Sequence, residues 1–407
     1  MTCEEFVPIY LGRDFYVPAF EVKLAGSDVP TETLRDIISV SYTDSIDQFD
    51  TFEITINNWD EERRDFKYTG PGSGVPDARG RDQMFDPGQE IELWMGYLNP
   101  TAGAARRTGE TEPLRLMLAG LITKLAPSFP AAGQPTLKIS GQNALIKMVT
   151  RQETHTSAAN KKDSEIAEEV GRRRNLTLGD MRIELRTDSE AKGREVANPE
   201  AVLQANQYDI LFLIERARRN GYDVVLQQET SGEQPRQYLY FGPSTTNLPV
   251  CYLLEWGKSL IDFSPTLTTA RQVRELTVRG WDSGRGEAIS VTVNRGQLPT
   301  RALRDEDRLY RIEQGFRERH EIVVDRPFRN RQEAERFALD RLGRLSGDMV
   351  TARGTTFGTP DLRAGRRIEI QRLGQTFDGH YFLKSTTHTM GASGYTTAFD
   401  ARLEEEN

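Results

Sequence analysis

Apolar and polar residues alternate over several short stretches of the chain. Phe20, Val22 and Leu24 stand against Glu21 and Lys23, and Phe52, Ile54 and Ile56 against Glu53, Thr55 and Asn57. Ile91, Leu93 and Met95 oppose Glu90, Glu92 and Trp94; Leu114, Leu116 and Leu118, then Leu137 and Ile139, continue the pattern. A period of two places every apolar side chain on one face of a strand, so each stretch predicts a half-buried β-strand. Turn residues at Asn57-Asn58, Pro87-Gly88 and Gly133 separate them. Residues 1–150 therefore read as one antiparallel β-domain.

The pattern changes after Thr150. Ser164, Ile166, Ala167 and Val170 have helical spacing, with Asp163 as the expected N-cap. A second helix is expected over Gln207–Asn220, where Ile210, Leu211, Leu213, Ile214 and Ala217 form an apolar stripe and Asn220-Gly221 the C-cap. Strands Tyr222–Gln227 and Gln237–Phe241 follow, which makes 151–256 a separate α/β insertion. From Val273 the alternation returns in Leu276 and Val278, then Ile289, Val291 and Val293. One long helix, Asn330–Leu345, is then expected to pack on this last domain (257–407) through a face lined by Ala334, Phe337, Ala338, Leu339, Leu342 and Leu345. The last expected strands are Arg366–Gln371, His380–Thr386 and Tyr395–Leu403.

The two β-regions look like copies of each other. Arg35-Asp36-Ile37, Asp44 and Phe52–Asn57 have counterparts in Arg274-Glu275-Leu276, Asp282 and Ile289–Asn294. Gly88-Gln-Glu-Ile91 likewise matches Gly365-Arg-Arg-Ile368, and Thr136–Ser140 matches Thr396–Asp400. A duplicated barrel would let three chains present six barrels around an axis, and so join a sixfold tube to a threefold spike.

Composition narrows the partners. A net charge of -8 argues against a surface that grips nucleic acid. The two cysteines, Cys3 and Cys251, cannot build a disulfide framework and read as reduced. The start of the chain lacks the pattern of a secretory signal, so synthesis in the cytoplasm is expected. The longest apolar run, Ile210–Ile214, is far short of the ~20 residues of a membrane span.

The C-terminal stretch, Thr359-Pro-Asp-Leu-Arg-Ala-Gly365 with Gly379-His-Tyr-Phe-Leu-Lys-Ser-Thr-Thr-His388 and Gly394-Tyr-Thr-Thr-Ala-Phe399, resembles the end of the phage late control D proteins. Asn206–Tyr222 is similar to that family's helix before a glycine and an aromatic strand, and Trp281-Asp282 is a family-like strand end. The family includes the hubs of contractile phage baseplates and the amino-terminal part of type VI secretion spike proteins. The resemblance implies a mainly β (α+β) fold with two tube-protein-like antiparallel β-barrels, at 1–150 and 257–407, separated by the α/β insertion. It also implies a homotrimeric structural hub, assembled into a phage tail or injection particle. An inner tube protein or tube-initiating protein would meet one face, and wedge and other baseplate proteins would surround it. The type VI relatives continue into a further barrel and a needle, whereas this chain ends at Asn407, so a separate spike protein is expected at the opposite face.

Candidate chemistry is sparse, and no enzyme, catalytic residue, cofactor or metal is expected. Signatures of a serine elbow, a zinc helix or a nucleotide loop are absent. His380 and His388 share strand parity but would lie roughly 26 Å apart on a straight strand, too far to share a metal. With 61 acidic residues, a carboxylate pair for glycoside cleavage can still be assembled by folding, so a carbohydrate-active or carbohydrate-binding β-protein is the alternative. Two exposed loops are expected at Tyr68–Arg81 and Asn99–Glu112. The basic clusters Arg172-Arg173-Arg174 and Arg216, Arg218, Arg219 are expected to solvate helix ends rather than dock an acidic partner.

Overall fold

The computed structural model describes residues 6–404 except 11–14, 16, 47, 70–83, 99–113, 179–180, 221, 230–235, 244–251, 269–272, 274, 283–284, 295–296, 298–319, 325–327, 329, 348–349 and 375. The fold is mainly β. The first part holds β1 (Pro18–Leu24), β2 (Ile37–Ser45), β3 (Thr51–Asn57), β4 (Glu90–Tyr97), β5 (Arg115–Ser128) and β6 (Thr136–Asn143). The middle holds β7 (Gln152–Ser157), α1 (Asp163–Arg174), β8 (Glu184–Thr187), β9 (Val202–Tyr208), α2 (Asp209–Arg219), β10 (Asp223–Glu229) and β11 (Arg236–Gly242). The last part begins with β12 (Tyr252–Glu255), β13 (Leu260–Leu267), β14 (Glu275–Asp282), β15 (Glu287–Asn294) and β16 (His320–Val323). It ends with α3 (Arg331–Gly347), β17 (Val350–Phe357), β18 (Arg367–Gln371), β19 (Gly379–Gly391) and β20 (Gly394–Glu404).

Alternation in sequence becomes alternation in burial. Phe52, Ile54 and Ile56 of β3 and Ile91, Leu93 and Met95 of β4 are buried, as are Val40 and Tyr42 of β2 facing them. Helix α2 turns Ile210, Phe212, Leu213 and Ala217 inward against Leu116, Ala119, Leu145 and Met148, so the middle segment shares a core with β5 and the turn after β6. Lys162, not Asp163, stands at the N-cap position of helix α1, its backbone N–H donating to the Glu165 carboxylate; the aspartate is the first helical residue and is buried.

One sheet carries the order β12-β18-β19-β2-β3-β6-β5-β4-β1, with β20 bridging β19 and β17 and β17 continuing to β13. A pattern of five strands occurs twice in it. The antiparallel order β2-β3-β6-β5-β4 recurs as β13-β17-β20-β19-β18, in the same chain order. The irregularities recur as well. A bulge skips Ile38 in β2 and Ile261 in β13, and a second skips Thr123 in β5 and Lys384 in β19. Gly88 (φ 87°) and Gly365 (φ 82°) donate their N–H groups to Ile122 and Leu383, so one positive-φ turn opens both β4 and β18.

The repeat drawn from sequence is corrected in part. Matching Gly88–Leu93 with Gly365–Ile370 and β6 with β20 agrees with the pairing, but β14 and β15 are not the counterparts of β2 and β3. They pair with each other and with β16 in a separate sheet. Its apolar face, Leu276, Val278, Val291 and Val293, is covered by Ala334, Ala338 and Leu342 of α3, which therefore packs chiefly on this small sheet. The counterparts are β13, an edge strand containing Pro265, and β17, whose inward positions include the small Ala352 and Gly354; both alternate in burial, but with proline or small residues at positions where β2 and β3 carry large ones.

Candidate functional site

The two copies meet along a seam. Residues 385–390 of β19 pair antiparallel with residues 40–45 of β2, setting Met390 opposite Val40, His388 opposite Tyr42 and Thr386 opposite Asp44. All six of these side chains are buried. On the opposite face the Thr43 and Thr387 hydroxyls hydrogen-bond at 3.0 Å.

Burial of polar groups demands partners, and the loop between β17 and β18 supplies them. Thr386 donates its hydroxyl to Asp44, and the Ala364 N–H donates to Asp44 Oδ2 at 3.1 Å. The Arg363 guanidinium lies 3.9 Å from Asp44 and 4.6 Å over the Tyr42 ring, and it donates to the Leu116 and Met117 carbonyls at 3.1 and 3.2 Å. Because the Leu362 carbonyl only accepts, His388 Nε2 carries the proton of their 2.9 Å bond. Its Nδ1 then accepts from Tyr395 or Thr397, each 3.0 Å away. Burial, and then the Arg363 charge, push the His388 pKa well below the usual imidazole range, so the ring is neutral.

Beside the seam lies a cavity of about 90 Å³ whose lining includes Tyr42, Asp44, Asp50, Gln237, Arg363 and Arg366. Burial pushes the Asp50 carboxyl up to about 7, reinforced by the neighbouring Asp44 charge. Burial raises Asp44 too, but the Arg363 cation and the Thr386 hydroxyl oppose it. This cluster is not legible in the sequence, where Asp44 reads only as a strand end and nothing singles out Asp50.

Two strand edges remain open. Among the described residues, the distal part of β5 pairs only with β6, and β13 beyond Leu260, which also bridges Trp256, pairs only with β17. By the repeat, Leu125, Pro127 and Phe129 correspond to Thr386, His388 and Met390, while Phe263, Pro265 and Leu267 correspond to Val40, Tyr42 and Asp44. The equivalents in the closed seam are at most 7% exposed, but Phe129 is 59% exposed and the other five are half-buried or exposed. Along β2 the even-numbered N–H groups point at β19, as the Ile46 N–H to Lys384 bond shows. Pro127 and Pro265 fall at the matching outward positions, where a missing N–H costs no bond within the chain.

The basic clusters take a role different from the expected solvation. Arg216 is buried and donates to Asp163 at 2.7 Å and to Asn198 at 2.7 Å. Arg173 reaches Asp209 at 2.6 Å, Arg174 bonds to the same fully buried carboxylate, and Gln204 donates to it at 2.8 Å. These cations tie α1 to α2 and to β9. Arg172 is exposed, as expected.

The histidines do not share a face. The bulge at Lys384 reverses parity between them, so His380 stacks on Phe6 at 4.5 Å outside while His388 is enclosed. Among the described residues no cluster of three or more His, Cys, Asp or Glu could hold a metal, and no helix is long and apolar enough to cross a membrane. Most of both expected loops, and both cysteines, lie outside the described residues.

The family model of the Alg8 N-terminal domain matches residues 16–391. No curated protein matches the chain. Among solved structures it is similar to the 43 kDa tail protein of prophage MuSo2 from Shewanella oneidensis, at 13% identity and TM-score 0.62 over 94% of this chain and 98% of that one. The tail protein of Neisseria meningitidis MC58 gives 13% identity and TM-score 0.63 over 95% and 97%. The E. coli c3393 protein, a component of the type VI secretion system with structural similarity to the T4 bacteriophage tail proteins gp27 and gp5, gives 12% and 0.55 over 95% and 77%. At these identities the shared property is the fold.

Proposed function

The chain belongs to the family of the Alg8 N-terminal domain, and from its tail-protein fold we propose that it is a non-enzymatic baseplate hub. Three chains form a ring whose six equivalent units match a sixfold tube on one side and a threefold spike on the other. Tube, spike and wedge proteins are its partners, in a contractile tail or injection particle. The observation that carries the reading is the seam. One end of the second copy is joined to the first copy by strand pairing, and among the described residues the same two kinds of edge are open on β5 and β13. A contact of this head-to-tail type closes a ring when its rotation divides the full circle, and three such contacts close the ring of six units.

Transferring the seam register to two molecules sets Leu125 opposite Leu267, Pro127 opposite Pro265 and Phe129 opposite Phe263 of the next chain. An apolar strip replaces the polar one of the internal seam, which suits a joint formed after folding and driven by burial. The prolines leave this joint short of two backbone bonds and make both edges poor templates for indiscriminate strand pairing. In solution, light scattering is expected to give a trimer, alone or on adding the spike protein. The Leu125→Cys, Leu267→Cys double variant should cross-link between chains on oxidation, because directly opposed strand residues lie within disulfide reach. A monomer under all these conditions, or a trimer in which this pair never cross-links, overturns the reading.

A further inference from the structure

Three parts of the chain line the cavity beside the seam. β2 and the turn after it contribute Asp44 and Asp50, the loop before β18 contributes Arg363 and Arg366, and β11 of the insertion contributes Gln237. Most of the charged groups here already have partners. Asp44 accepts from Thr386 and from the Ala364 N–H, beside Arg363. Asp361 accepts from the Tyr252 hydroxyl at 3.3 Å and lies 3.8 Å from Arg115. Arg363 donates to two backbone carbonyls.

Two groups are left over. Among the described residues the Arg366 guanidinium makes no hydrogen bond and has no carboxylate within ion-pair distance. Burial lowers its pKa; the Asp361 charge opposes that shift and the Arg363 charge adds to it. Gln237 is only 3% exposed, yet among the described residues its side chain makes no hydrogen bond and its Oε1 is enclosed without a partner. A guanidinium and an amide left without partners in one cavity are costly unless something there meets them. The unmet capacity includes a positive charge with planar, paired donors, which matches an oxyanion.

We propose that this cavity binds a small oxyanion, a carboxylate or phosphate, with Arg366 as its counter-charge and the Gln237 amide as a second donor. Size limits the choice. At about 90 Å³ the space is far below the roughly 300 Å³ of a drug-sized pocket, so it admits inorganic phosphate or a short carboxylate and excludes a nucleotide. The bound anion ties β11 of the insertion to the loop that locks the seam. Asp50 sets a pH condition. It faces Tyr42, Asp44, Asn143 and Arg363, and its carboxyl, pushed up to about 7, offers the anion an O–H below that pH and a repelling charge above it.

Titration calorimetry on the full-length chain, with potassium phosphate or acetate added at constant ionic strength, tests the site. All of its lining comes from one chain, so the outcome does not depend on the ring. One anion per chain is expected to bind at about pH 6, and the ratio of the two affinities tells phosphate from carboxylate. Arg366→Met should weaken binding at least about tenfold, and Gln237→Leu at least about threefold. Because the guanidinium has no partner to lose, Arg366→Met should leave the melting temperature of the anion-free chain unchanged or raised. Acetate keeps its charge between pH 6 and 8, so its affinity should fall at least about threefold over that interval, and Asp50→Asn should flatten the dependence. Failure of both anions to bind at about 10 mM, or binding that Arg366→Met leaves unchanged, overturns the site. So does a melting temperature lowered by more than about 4 °C in that variant, which would mean that the guanidinium is already engaged. An acetate affinity that does not change with pH overturns the role given to Asp50.

Discussion

Thr386 donates its hydroxyl to Asp44 across the join between the two copies, although 342 residues separate them in the chain. The bond sits under the Arg363 guanidinium and closes a strip of buried polar groups that pins the halves in one register. Asp44→Ala strands a buried cation and should lower unfolding free energy by about 3–5 kcal/mol. Thr386→Val leaves the carboxylate its other donors and should cost about 1–3 kcal/mol. Urea denaturation monitored by tryptophan fluorescence measures both; a loss below about 1 kcal/mol for Asp44→Ala contradicts this account of the join.

Asp50 gives the fold a dependence on pH. Its carboxyl is pushed up to about 7 by burial and by Asp44, with Tyr42, Asn143 and Arg363 also facing it. Between about pH 4, where the unfolded side chain titrates, and about pH 7, the native state holds the extra proton, so this group's stabilisation falls as pH rises. His388 acts in the opposite sense, since its lowered pKa makes stability fall as pH drops below the ordinary imidazole range. Comparing Asp50→Asn with the natural chain at each pH separates the two. The variant should be more stable at pH 8, by at most about 4 kcal/mol, and the gap should close toward pH 4. A gap constant across that interval contradicts the assignment.

The middle segment depends on charges that sequence alone would place on the surface. Arg216→Ala leaves Asp163 buried without its cation and should cost about 3–5 kcal/mol. Arg172→Ala removes a side chain 67% exposed and should change stability by less than about 0.5 kcal/mol. Thermal unfolding of the two variants side by side distinguishes them, and equal losses contradict the structure.

Gly358 has no room for a side chain. A Cβ there would lie 2.0 Å from the Tyr395 ring, the same ring that bonds His388. Gly358→Ala should therefore displace Tyr395 and cost at least about 1–3 kcal/mol, with a changed near-ultraviolet circular dichroism spectrum. An unchanged spectrum and stability would mean that the ring is free to move.

Strands buried on one face were legible because their burial is written as alternation, as in Phe52, Ile54, Ile56 and Ile91, Leu93, Met95. The recurring Gly88 and Gly365 turn was legible for a different reason: a positive φ leaves few choices of residue. β13 was missed because an edge strand buries little, and Pro265 argues against a strand by itself. β14 and β15 read as the counterparts of β2 and β3, in place of β13 and β17, because a strand covered by a helix and a strand of the large sheet alternate alike. The join was illegible, since Asp44, Thr386 and His388 are polar residues that only become core when distant segments pair. His380 and His388 were set on one face because bulges leave no mark in the periodicity.

Between β2 and β3 the chain crosses in residues 46–50, whereas between the equivalent β13 and β17 it wanders through residues 268–349, which carry β14, β15, β16 and α3 with a core of their own. Both excursions leave from and return to neighbouring strands. Closing a long excursion costs only slightly more entropy than closing a short one. That hairpin is therefore a place where a whole module with its own core hangs from two neighbouring strands, free to carry contacts of its own without disturbing the sheet that holds it.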